Sequence, residues 1–126
     1  MTAVLVVDDE ALIAMALEAA LEDAGYRVAT AANGRQGLER LAEEPRPDVV
    51  LLDMMMPVMN GPAMLAAMAV DPELRGIPVI VLSSLPEEAI RDRAAGAAAI
   101  LRKPYTADEV LDAIARVLGG TLDAGA

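Results

Sequence analysis

Five residues in a chain of 126 could do chemistry together: Asp8, Asp9, Asp53, Ser83 and Lys103. Each stands at or just beyond the end of a short apolar run, at 3–7, 49–52, 78–82 and 97–101. The run 49–52, Val-Val-Leu-Leu, has no polar interruption and predicts a strand buried on both faces at the centre of a parallel sheet. Ligands of open α/β sheets gather outside the carboxyl ends of the strands, so Asp53 stands where a reactive group would be presented. Three carboxylates brought together repel one another unless a cation or a shifted protonation compensates. A hard divalent ion fits this donor set: Mg2+ takes oxygen ligands, one or two carboxylates and phosphate oxygens, with no need of His or Cys. Lys103 and the Ser83 hydroxyl could then neutralise and hydrogen-bond a phosphoryl group, with a carboxylate as nucleophile forming an aspartyl phosphate by in-line transfer. Taken singly, each residue also has a plain structural reading. Asp53 could start a turn, Asp8-Asp9-Glu10 and Ser83-Ser84 could cap helices, and Lys103 could be a solvated charge. Their joint position at strand ends favours a shared site.

The elements that must position these residues alternate. Strands are predicted at 3–7, 26–31, 49–52, 78–82 and 97–101. A first helix follows Glu10, with Leu12, Leu17, Leu21 and Ala24 repeating at helical spacing and Gly25 as its stop. Asn33 with Gln36 three residues later begins a second helix carrying Leu38 and Leu41, closed by Pro45 and Pro47. Asn60-Gly61-Pro62 opens a third over 62–70, which has no polar side chain. Ser84 with Glu87 predicts the start of a fourth helix running to Gly96, and Thr106 with Glu109 the start of a fifth, ended by Gly119-Gly120. Five strands and five helices in alternation imply an α/β fold, a doubly wound parallel sheet flanked by helices. The expected division is one domain over 1–120 and a short tail over 121–126.

Composition narrows the function. The chain is 56% hydrophobic, but its apolar runs fall short of the roughly 18 residues a membrane span needs. With no signal peptide at its start, a cytoplasmic location and no membrane association are expected. No Cys and no His are present, which removes thiolate catalysis, Cys- or His-ligated metals and the commonest general base. A formal net charge of -10 argues against direct nucleic-acid binding. Nine of the ten basic residues are Arg; the single Lys, Lys103, hints that a compact ammonium is required there.

The motifs Val-Val-Asp-Asp (6–9), Leu-Leu-Asp-Met-Met-Met-Pro-Val-Met-Asn-Gly (51–61), Pro-Val-Ile-Val-Leu-Ser-Ser (78–84) and Leu-Arg-Lys-Pro-Tyr (101–105) resemble the receiver domains of two-component response regulators, over nearly the whole chain. The resemblance implies a flavodoxin-like sheet of strand order 2-1-3-4-5. It implies that Asp53 accepts a phosphoryl group from a histidine kinase or histidine phosphotransfer protein. Asp9, Asp53 and the Met55 backbone carbonyl would hold Mg2+, Asp8 would act mainly through water, and Ser83 and Lys103 would contact the phosphoryl oxygens. The chain would catalyse only its own phosphorylation and slow dephosphorylation. It would have no output domain and signal to a downstream protein target, and the two residues before the first strand suggest a natural start.

Two positions depart from the family pattern. An aromatic usually stands three residues before the lysine, where this chain has Ile100, so the switch linking Ser83 to that position is expected to be weak or differently wired. Val58 replaces a common glycine and is expected to alter its loop. Helices one and three are apolar around much of their circumference, which predicts docking surfaces. Ala11, Ala14 and Met15 are expected to meet the phosphodonor, and the third helix to serve a homodimer or a target. Two other functions compete. One is a pseudo-receiver that binds partners without phosphate. The other is a phosphohydrolase with an Asp nucleophile, disfavoured because Met55 stands where that class usually places a second acid.

Overall fold

A computed structural model describes residues 2–125, with side chains described up to residue 119. The elements alternate as β1 (Ala3–Val7), α1 (Ala11–Asp23), β2 (Arg27–Ala31), α2 (Gly34–Leu41), β3 (Val49–Asp53), α3 (Gly61–Ala69), β4 (Val79–Ser83), α4 (Glu87–Ile90), β5 (Ala99–Arg102) and α5 (Ala107–Gly125). All strand pairings are parallel, in the order β2-β1-β3-β4-β5. This is the doubly wound sheet that the alternation predicts.

Side chains of successive strand residues point to opposite faces, and the core divides accordingly. Val4, Val6, Val49, Leu51, Ile80 and Leu82 pack under α1 and α5 through Leu17, Leu21, Val110 and Ile114. Leu5, Val7, Val50, Leu52, Val79 and Val81 pack on the other face against Leu41, Met64, Met68 and Ile90. Every residue of β3 and β4 is buried, which is why these strands read as unbroken apolar runs.

Helix boundaries follow local chemistry where a cap is available. The Asn33 side chain accepts from Gln36 N–H and Asn60 from Ala63 N–H, each at 2.9 Å. Thr106 and Glu109 bond each other's backbone N–H reciprocally, at 3.1 and 3.0 Å. Gly25, at φ +96°, closes α1 with bonds from Tyr26 N–H to Leu21 O and from Gly25 N–H to Glu22 O, the paired geometry that a left-handed residue permits.

Three expectations are corrected. First, Ser84 does not cap α4, which has Pro86 at its N-cap and lasts one turn rather than reaching Gly96. The neighbouring Ser83 hydroxyl takes the Leu85 N–H instead, fixing a local turn that competes with helix initiation. Second, α5 does not end at Gly119-Gly120 but continues to Gly125. Glycine in a helix costs only about 1 kcal/mol relative to alanine, which weakens a helix without ending it. Third, Leu12 faces outward at 80% exposure: the inward stripe of α1 runs through Ala14, Leu17 and Leu21, and Leu12 lies roughly opposite Ala14 at 3.6 residues per turn.

Candidate functional site

Parallel register carries the strand ends to one edge. Val7 lies beside Leu52, so Asp8 emerges next to Asp53, and Ser83 lies beside Arg102, so Lys103 follows it. Backbone bonds continue the alignment beyond the strands, from Asp8 N–H to Ala31 O, from Met54 N–H to Leu82 O and from Lys103 N–H to Ser83 O. Behind Asp53 the chain turns back so tightly that a Cβ on Gly61 would lie 2.6 Å from the Asp53 carbonyl oxygen and 2.7 Å from Met54 Cα. Only glycine permits α3 to begin against the floor of the site.

Carboxylate oxygens of Asp8, Asp9 and Asp53 all lie within 4.8 Å of one another. Lys103 Nζ donates to Asp53 Oδ1 at 3.1 Å and stands 3.9 Å from Asp8 Oδ2. Asp8 and Asp53 are buried, whereas Asp9 is exposed. Burial raises the pKa of both buried carboxyls. For Asp8, the Glu10 N–H donated to Oδ1 at 2.9 Å and the Lys103 charge oppose the rise; for Asp53, the Lys103 hydrogen bond and charge do so. One lysine therefore does not balance the cluster. Asp8 Oδ2 is buried without a hydrogen-bond partner, an arrangement that costs free energy unless a cation or its water occupies that direction. This all-oxygen donor set with an orphaned carboxylate oxygen fits a hard divalent ion.

The Ser83 hydroxyl, buried like Asp53, accepts from Leu85 N–H at 3.0 Å and donates to Leu85 O at 3.3 Å. The second bond is long for an O–H donor and readily exchanged for a charged acceptor. Met55 flanks the site with its side chain 69% exposed. Ile100 pairs with Val81 in β5 and packs against the apolar cluster on the α2–α3 face. Val58 has φ +67°, the left-handed backbone that suits glycine. In a β-branched residue this stores strain of about 1–3 kcal/mol.

Of the expected docking residues, Ala11 and Met15 are exposed but Ala14 is not: it lies in the α1 stripe against the sheet and is removed from the surface. Leu12, next to Ala11, is exposed as well. On α3 the outward side is mainly alanine with Val70, because Met64, Leu65 and Met68 turn inward.

Two features were not legible in the sequence. Arg93, in the turns that follow the one-turn α4, lines the same cleft as Asp53, Ser83 and Lys103, a space of about 660 Å³. Read as part of a longer helix, it looks like a surface charge. The Tyr105 hydroxyl is the other: it is buried without a partner, and burial together with the Asp8, Asp53 and Glu10 charges pushes its pKa up to about 12.

Residues 4–115 match the family model of the response regulator receiver domain. The chain is 36% identical to Protein PilH of Pseudomonas aeruginosa over 95% of this chain and 100% of that protein. It is 38% identical to Chemotaxis protein CheY of Thermotoga maritima over 90% of this chain and 95% of that one. Among solved structures, Vibrio cholerae chemotaxis protein CheY4 superposes with a TM-score of 0.88 at 32% identity, covering 94% of this chain and 99% of that one.

Proposed function

The chain belongs to the response regulator receiver domain family, and from that premise we propose that it accepts a phosphoryl group on Asp53 from a histidine kinase or histidine phosphotransfer protein. The observation that carries this reading is the Lys103 ammonium 3.1 Å from Asp53 Oδ1 inside a cluster of three carboxylates at the carboxyl edge of the sheet. An Asp53 oxygen attacks phosphorus in line as the donor's N–P bond breaks; the bonding pair leaves on the imidazole nitrogen, which takes a proton from solvent. Asp8, Asp9, Asp53 and the Met55 carbonyl would hold Mg2+, which supplies charge neutralisation on the transferring oxygens. Lys103 keeps Asp53 oriented and offers its charge to the phosphoryl group, and Ser83 turns its hydroxyl from Leu85 O to a phosphoryl oxygen. The protein acts on itself and not on a turned-over substrate, works in the cytoplasm, and passes its signal on by contact with a protein target. Among the described residues no helix is long and apolar enough to cross a membrane.

Intact mass after incubation with Mg2+ and acetyl phosphate tests the reading. One phosphoryl group gained supports it. An unchanged mass with every reagent active replaces it with the pseudo-receiver alternative, and steady release of inorganic phosphate from a generic phosphomonoester would favour a hydrolase.

Ala11, Leu12 and Met15 form an exposed apolar patch at the start of α1, beside the acidic site, and are proposed to receive the phosphodonor. Met15→Glu places a charge where an apolar contact forms and is expected to slow transfer from the cognate donor about tenfold, a loss of roughly 1.4 kcal/mol, with acetyl phosphate labelling unaffected. Equal transfer rates for variant and wild type would remove this patch from the docking surface.

Phosphate loss requires a water in line with the O–P bond. Met55 and Leu85 line the cleft and neither side chain can orient water by hydrogen bonding, so slow autodephosphorylation is expected. Introducing a polar group with Met55→Asn or Leu85→Glu supplies one hydrogen bond of about 1 kcal/mol, which corresponds to roughly fivefold faster decay. Decay of the phosphorylated protein, followed by mass, should accelerate in both; equal or slower decay in the two would refute the water-exclusion argument.

A further inference from the structure

The cleft over Asp53 holds a second cation for which the reading above has no use. Arg93 lines it with Asp9, Glu10, Asp53, Ser83 and Lys103, and takes part in no ion pair among the described residues, whereas Arg91 is paired with Glu87 at 3.7 Å. Its direction is set locally. Ile90 and Ala94, on either side, are buried in the core on the α2–α3 face, which pins the segment that carries Arg93. Between them the chain is neither helix nor strand: α4 ends at Ile90 and a succession of turns follows to Gly96, which has φ +93°.

Charge gives this placement its consequence. Asp8, Asp9 and Asp53 face the single Lys103 ammonium, and a divalent cation would balance what remains. Phosphorylation replaces the Asp53 carboxylate, a monoanion, with an acyl phosphate carrying close to two negative charges at neutral pH. Glu10 adds another negative charge to the cleft wall. Among the described residues Arg93 is the only cation lining the cleft besides Lys103, and its planar fork suits phosphoryl oxygens. Ile100, by contrast, carries neither charge nor hydroxyl with which to register the new group.

Resting on the phosphoacceptor reading, we propose that Arg93 senses the phosphoryl group: its guanidinium closes on the phosphoryl oxygens, and the 91–96 turns reorganise with it while β5 and α5 stay in place. The differential contact that a two-state switch requires is then electrostatic and lies on the segment after α4.

The test uses beryllofluoride with Mg2+ as the phosphoryl mimic, with backbone amide spectra and binding titrations on the full chain. Wild type is expected to bind the mimic with shifts concentrated at 91–96. Arg93→Gln should bind it about tenfold more weakly, the loss of one charge-assisted hydrogen bond, and lose those shifts. Arg93→Lys should fall between the two, and Arg91→Gln should behave as wild type. Mg2+ affinity measured without the mimic should not weaken in Arg93→Gln, which a merely structural role would not predict. Wild-type affinity and wild-type shifts in Arg93→Gln overturn the proposal and leave the phosphoacceptor reading standing, as does an equal loss of Mg2+ and mimic binding. A wild type that binds no mimic overturns both.

Discussion

Asp53→Asn is expected to abolish phosphorylation: incubated with Mg2+ and acetyl phosphate, the variant should gain no mass where wild type should gain one phosphoryl group. The expectation follows from geometry and chemistry together. Asp53 is the carboxylate bonded to Lys103, and it ends one of the two fully buried strands of the sheet. An amide is a poor nucleophile toward phosphorus, and no side chain among those lining the cleft is an obvious substitute. Asp9 lies close but is exposed and has no cation fixing it, so Asp9→Asn should weaken Mg2+ binding and slow labelling without ending it. Lys103 is best assessed in the same experiment, since Lys103→Ala leaves the nucleophile intact and removes its orientation. If Asp53→Asn were labelled at the wild-type rate, both the assignment of the nucleophile and the mechanism built on it would fall.

Asp8→Asn is expected to stabilise the metal-free protein by about 1–3 kcal/mol, because it removes a buried charge whose Oδ2 has no hydrogen-bond partner. The amide oxygen can still accept from Glu10 N–H, so the local turn survives. The pH dependence has a definite sign. Burial raises the Asp8 and Asp53 pKa values, so the folded protein holds these protons more tightly than the unfolded chain does. Their stabilising contribution is complete below the unfolded value of about 3.9 and is lost as pH rises through the raised values in the fold. In EDTA, wild type should therefore lose stability from this source as pH rises above about 4, and Asp8→Asn should lose less. If Mg2+ binds the folded cluster as proposed, it should restore stability to wild type far more than to the variant. Thermal melts with EDTA and with Mg2+ across this range measure all three effects. A lower melting temperature for Asp8→Asn in EDTA at neutral pH would show that the carboxylate is stabilising after all.

The residues of the site were legible because each is announced by its strand. Apolar runs stopping at Asp8-Asp9, Asp53 and Ser83, together with the lone lysine after the fifth run, need only the rule that parallel strands share a carboxyl edge. Surface roles were less legible. Ala14 and Leu12 exchanged places because alanine and leucine both occur in a helix that is apolar nearly all round, and composition then leaves the inward stripe undetermined. Packing against the sheet decides it.

The sequence by itself determined the alternation of strands and helices, the fully buried central strand β3 and the five polar residues at strand ends, since these follow from short-range periodicity and turn chemistry. Tertiary structure decided what depends on competition between neighbours. Ser83 takes the Leu85 N–H, Ser84 does not cap, and α4 is reduced to one turn that leaves Arg93 lining the cleft. Val58 is held at a left-handed φ by the loop around it, although its own side chain disfavours that geometry. Burial, too, is a property of the assembled fold: only when Asp8 is enclosed between β1, Lys103 and the neighbouring carboxylates is one of its oxygens left without a hydrogen-bond partner, and only then does a row of acids become a site that calls for a cation.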